Sequence, residues 1–152
     1  MQSRGLTRGL LISLCFALSG PPVLGAKGAG SAPPPEEARR LVVEAFESGR
    51  PSLLAPLLPA NAKVHLSLRT IGPARGLYGG GQLVVLLQQF FSRCQPEEFR
   101  ASPAERESPT APVNLHGLIV CRSPEGEIAV KLNLVLEPSG ENWRLSEVWE
   151  TG

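Results

Sequence analysis

The residues that could do chemistry in this 152-residue chain are few. Aspartate is absent, which removes every mechanism that depends on it. Glutamate and histidine are left as the ordinary acid–base groups near neutral pH. Glu147 lies in "NWRLSEVWE", where two-residue alternation sets it on one face with Trp143, Leu145 and Trp149. A carboxylate among aromatic rings has a raised pKa and can serve as a base. The competing arrangement is an ion pair with Arg69 or Arg144, or exposure at a sheet edge. His116 shares its face with Asn114, Leu118 and Val120, which fits either a structural histidine or an acid–base group. His65 falls on the polar face of its own segment and points to solvent. Glu147 and His116 are therefore the weak acid–base candidates, and no residue is assigned a catalytic role. The two histidines and the cysteines lack short ligand spacing, so no metal set and no cofactor is expected. Nothing in their spacing supports a Cys/His nucleophile pair either.

The stretch "GLYGGGQLVVLLQQFF" (Gly76 to Phe91) is the one place that could cradle a phosphate. A dinucleotide fingerprint needs a further spaced glycine, and a P-loop needs Gly-Lys-Ser/Thr. Neither is present. Leu83, Leu86, Leu87, Phe90 and Phe91 recur at helical spacing instead, so the glycines read as the entrance to a buried helix.

The first residues carry an address. Arg4 and Arg8 precede the short apolar run "GLLISLCFAL", and "SGPPVLGAKG" follows with helix breakers and small residues. That is the layout of a secretory signal peptide over 1–25, with an uncleaved anchor as the alternative. The run is shorter than the roughly 20 residues of a comfortable membrane span, so no span is expected in the mature chain. Residues 26–35 read as a disordered Gly/Ala/Pro linker, and 36–152 as a single domain in an exported protein. Without Arg4 and Arg8, 13 basic residues stand against 14 glutamates, a formal charge of −1. Such a balance offers no footprint for nucleic acid. Cys15 leaves with the leader, and Cys94 and Cys121 remain. Export permits a disulfide between them; two separate buried thiols are the other arrangement.

The elements follow from periodicity. "EEARRLVVEAFESGR" has an apolar stripe of Ala38, Leu41, Val42, Ala45 and Phe46 at helical spacing, with Gly49 as a stop. "PSLLAPLLP" reads as a short helix or turn limited by its prolines. "AKVHLSLRTIG" alternates as a half-buried strand. After the glycine-led helix, a short edge strand is expected around Phe99. Strands then follow at Val113 to Arg122, Glu127 to Glu137 and Asn142 to Glu150, joined by turns at "SPEG" and "PSGE". Ile128, Val130, Leu132, Leu134 and Leu136 line one face without interruption, the strongest core signal in the chain. The fold class is α+β: two or three N-terminal helices on one face of a curved antiparallel sheet of about four to five strands.

This order, with "FESGRPSLLAPLL", "VHLSL", "GLYGGGQLVVLLQQFFSR" and "GENWRLSEVWE", resembles the nuclear transport factor 2-like superfamily. That superfamily is also called cystatin-like, or cone-shaped α+β. More narrowly the chain resembles a secreted bacterial family of uncharacterised function within it. The resemblance spans Glu36 to Glu150, and Tyr78 followed by Gln82 at the helix entrance is its sharpest item. It implies a cone with a pocket between sheet and helices, and a tendency to form homodimers through the open sheet face, here the face with Lys131, Asn133 and Val135. A pocket of that kind would draw on Tyr78, Leu132, Leu134, Trp143 and Trp149 to hold a small apolar ligand. The fold hosts isomerases, dehydratases, carriers and inert scaffolds, so it implies no reaction. Non-catalytic binding of an apolar ligand or a protein partner is the leading expectation. An isomerase- or dehydratase-like enzyme using Glu147 or His116 is the alternative, and a homodimeric structural module is the third reading.

Overall fold

The computed structural model describes residues 35–72, 74–103 and 110–152. The leader and nearly all of the linker expected over 1–35 lie outside the described residues. Helix α1 (Pro35–Ser48) opens with Glu36 and Glu37 at its positive end, and a proline in its first turn costs no hydrogen bond. It buries Ala38, Val42, Ala45 and Phe46, the stripe its spacing requires. It stops at Gly49, whose φ of 62° is left-handed, and the Arg50 N–H returns to the Ala45 carbonyl at 3.0 Å. A 3₁₀ segment (Pro51–Leu57) follows and seats Leu54 and Leu57 in the core.

Strand β1 (Lys63–Leu68) leads through a 3₁₀ turn (Arg69–Ile71) into β2 (Ala74–Gly79). Helix α2 (Gly80–Arg93) then starts without a break. Gly79 has no side chain to cap it, and the Gln82 side chain closes the gap by accepting the Gly79 N–H at 3.2 Å. Strands β3 (Gln95–Pro103), β4 (Val113–Ser123), β5 (Gly126–Ser139) and β6 (Asn142–Thr151) complete the fold. The sheet has six strands in the order β2-β1-β6-β5-β4-β3. It is mixed, because β1 runs parallel to β6 while every other neighbouring pair is antiparallel. This exceeds the expected four to five antiparallel strands. The extra strand is β2, hidden in the glycine-rich stretch, and the parallel pair arises because the chain's last strand closes onto its first.

Both α-helices cover one sheet face. Leu83, Leu87, Phe90 and Phe91 of α2 share one buried core with Val64, Leu66 and Leu68 of β1 and with Leu115, Ile119, Leu132, Leu134, Leu136, Leu145 and Val148. The five-residue stripe of β5 is on this face as expected: Ile128 is half-buried and the other four are buried. Phe99 lies across Gly117, where a Cβ would sit 2.6 Å from the ring, so only glycine lets β4 pass beneath it. Cys94, at the end of α2, is disulfide-bonded to Cys121 of β4, with both residues fully buried. Glu150 fastens the turn after β1 by accepting hydrogen bonds from the Thr70 N–H (2.9 Å) and hydroxyl (3.1 Å).

The last strand corrects the sequence reading. Val135 is opposite Glu147, and Leu136 is opposite Leu145, so Ser146 is an extra residue in β6. Its hydroxyl donates to the Val135 carbonyl at 3.2 Å. A bulge of one residue inverts the alternation beyond it. Trp143, Leu145 and Val148 therefore face the helices, whereas Glu147 and Trp149 turn to the opposite, open face.

Candidate functional site

The five residues expected to line a ligand pocket are not brought together. Leu132 and Leu134 are core residues with no solvent access beyond a trace, and Trp143 is buried near the β5–β6 turn. Trp149 is on the open face, next to Asn133 on β5 and Ser67 on β1. The space between sheet and helices that would have held a ligand is filled by aliphatic and phenylalanine side chains. Its density follows from the long leucine stripe of β5, which packs beneath α1.

The acid–base candidates are likewise on the open face. His116 is exposed and borders a depression of about 450 Å³, with Arg100, Ser102, Leu118, Lys131 and Thr151. Arg100 is occupied by Glu98, whose carboxylate accepts at 2.6 and 3.0 Å and holds the guanidinium proton more tightly than usual. Glu147 is half-buried and stands beside His65 in the β1–β6 ladder. It is not among aromatics on the covered face, because the Ser146 bulge moved it. Neither His116 nor Glu147 is enclosed, and a base needs a sheltered partner to be tuned. Asn133 is on the same face between His116 and Trp149; it is only 6% exposed, and its Oδ1 is buried with no hydrogen-bond partner.

Tyr78 is the one expected ligand-binding residue that borders a hollow. It forms an apolar groove of about 620 Å³ with Gly81, Gln82, Val85 and Leu86. The groove exists because β2 ends directly in α2, so the first turns of the helix run beside the edge of the sheet. Two large apolar side chains are exposed among the described residues, Leu77 at 66% and Val85 at 52%. They flank this edge. Leu77 is on the open face of β2, opposite His65, and Val85 is in the groove on the helix side. Apolar periodicity in the sequence singles out neither. Val85 breaks the polar face of an otherwise amphipathic helix, which is the signal that could have marked it.

Among the described residues no cluster of three His, Cys or Glu side chains could hold a metal, and no helix is long and apolar enough to cross a membrane.

No family model matches the chain, and no curated protein matches it in sequence. Solved structures do. A DUF4783 family protein from Bacteroides ovatus superposes with a TM-score of 0.58 at 15% identity, covering 80% of this chain and 96% of that one. A relative of the same description from Bacteroides uniformis gives 0.60 at 15% identity, covering 74% and 96%. A hypothetical protein with a ketosteroid isomerase-like fold from Catenulispora acidiphila, in complex with trimethylamine, gives 0.54 at 14% identity, covering 76% and 85%. The chain has the nuclear transport factor 2-like, or ketosteroid isomerase-like, fold.

Proposed function

We propose that this chain is an exported, non-catalytic binding module that takes an apolar group in the groove between β2 and α2. The observation that carries the reading is the groove itself: about 620 Å³, bordered by Tyr78, Val85 and Leu86, beside a core of buried aliphatic and phenylalanine side chains. An exposed apolar side chain beside an apolar groove marks a binding surface more often than a catalytic one. Export is supported by the leader-like residues 1–25 and by the Cys94–Cys121 disulfide, a bond that persists in oxidising compartments. The Catenulispora acidiphila neighbour in complex with trimethylamine supports a ligand-holding use of the fold. The test is a fluorescence titration of the purified chain with Nile red, an uncharged apolar dye. Binding with a blue-shifted emission is expected, and Val85→Lys, a change at an exposed helix position, is expected to weaken it at least ~10-fold, equivalent to about 1.4 kcal/mol. No dye binding, or unchanged binding to the variant, overturns the reading.

A second reading has its own observation. The buried Asn133 Oδ1 lacks a donor on a face that also carries Val135, Trp149 and Leu118, and an unpaired buried acceptor costs about 1–3 kcal/mol. A second copy of the chain packed on this face would cover the apolar residues and let Asn133 find a donor. Light scattering behind size exclusion is expected to give twice the chain mass, and Asn133→Asp is expected to return it to one. A single-chain mass at every concentration removes this reading.

A further inference from the structure

The sheet has two edges, and they are built differently. β3 carries Pro96 near one end and Pro103 at the other, with a register break between Pro96 and Glu98. Its exposed charged side chains are paired, Arg100 with Glu98, and Glu97 with Arg122 of β4. Proline, bulge and charge are the devices that stop a strand from recruiting another. Over Arg75 to Gly79, β2 has no proline and no register break, and its single charge is Arg75. Alternate residues of an edge strand direct their N–H and C=O groups outward, and among the described residues no strand pairs with the outer side of β2, so it offers a free ladder.

The side chains around that ladder form a pattern. On the open face the strand presents Arg75, then Leu77, then Gly79. The amine of Lys63, the cross-strand partner of Gly79, comes within 4.0 Å of where a Gly79 Cβ would be. The exposed face of the edge therefore reads cation, aliphatic, cation. Among the described residues, neither Arg75 nor Lys63 has an anionic partner within ion-pair distance. On the helix side the same edge opens into the Tyr78–Val85–Leu86 groove.

We infer that β2 is a strand-addition site for an extended peptide whose open-face side chains run acid, aliphatic, acid and whose groove-side chains are aliphatic. The inference rests on the groove reading and names its occupant. Main-chain hydrogen bonds to β2 hold the peptide, and side-chain alternation reads it: every second residue enters the groove, and those between meet Arg75, Leu77 and Lys63. The acidic spacing follows from the two cations flanking Leu77, two residues apart on either side. Opposite charges directly across a ladder stabilise it and like charges destabilise it, so the same pair of cations excludes basic strands.

The probe is a fluorescein-labelled peptide of sequence Glu-Val-Leu-Val-Glu, palindromic so that strand direction does not matter, with Lys-Val-Leu-Val-Lys as its counterpart. Anisotropy titrations of the whole chain are expected to favour the glutamate peptide at least ~10-fold at low salt, with the preference shrinking as salt rises. The double variant Arg75→Glu, Lys63→Glu is expected to invert the preference, and both changes are at exposed positions that the core does not use. Hydrogen exchange is expected to show new protection at alternate amides of β2 when the glutamate peptide is bound. Equal affinity for the two peptides, no inversion, or protection confined to β4–β6 overturns the inference. So does protection of β2 that grows with protein concentration alone, since that would make a second copy the occupant. Nile red binding measured in parallel separates the two ideas. If the dye binds and is lost in Val85→Lys while the peptides are not discriminated, the strand-addition inference fails and the groove reading stands. If neither binds, both fail.

Discussion

Phe46→Ala is expected to destabilise the domain by about 4 kcal/mol, and to lower its melting temperature by roughly 15 °C. Phe46 has no solvent exposure and joins three elements at one point. Its ring stacks on Phe99 of β3 with centroids 5.2 Å apart, and meets Phe91 of α2 edge-on at 5.4 Å. Truncation removes the aromatic contacts and leaves a void that α1, α2 and β3 would all have to move to fill. Large-to-small changes cost most where the surroundings cannot collapse. Phe46→Leu keeps most of the volume and is expected to cost about 1.5 kcal/mol or less. Urea denaturation of the three proteins checks this, with equal slopes as evidence that the unfolded states match. A loss below ~1 kcal/mol for the alanine variant would mean that α1 does not pack on β3 as described.

Replacing Cys94 and Cys121 together by alanine is expected to cost about 3.5 kcal/mol, on the chain-entropy estimate for a cross-link spanning 27 residues of sequence. Alanine is the right substitute because both sites are fully buried and a serine hydroxyl would be stranded there. The loop it closes contains all of β3, an edge strand paired on one side only. Its loss should therefore show first as faster hydrogen exchange in β3, and only then as a lower midpoint in urea. Thermal melts of the wild-type chain with and without dithiothreitol should reproduce the same gap. Unchanged stability on reduction would show that the bridge contributes nothing to holding β3 in place.

The sequence was readable where one physical signal acted alone. α1, β1 and β5 each have a clean period, and each folds as that period requires. Two features escaped it. β2 contains Gly76 and Gly79 and little apolar alternation, so it has almost no strand propensity of its own. It forms because β1 offers six consecutive pairing positions and α2 anchors the chain beyond it. The Ser146 bulge leaves no trace in composition, yet it decides which face receives Glu147 and Trp149. The site suffered most from this. Glu147 drew interest because alternation placed it among tryptophans, and the alternation held only as far as residue 145. Where the family resemblance implies a hollow, the described residues place Leu132, Leu134 and Leu136 of β5 in a buried core. The groove that does exist depends on how β2 meets α2, a junction local periodicity cannot describe.

The extra residue in β6 also constrains how this chain can drift over generations. Losing Ser146 would take out the bulge and leave the pairing on either side of it unchanged, with Val148 still facing the helices and Glu147 and Trp149 still on the open face. A single-residue deletion there is therefore absorbed, whereas one in β5, which runs opposite β4 with no register shift from Gly126 to Leu136, would act like many substitutions at once; the exposed bend at Gly140–Glu141 can lengthen or shorten freely. Lineages of this protein should vary in length at that bend, keep an invariant residue count from Gly126 to Leu136, and tolerate the loss of one residue between Leu145 and Glu147.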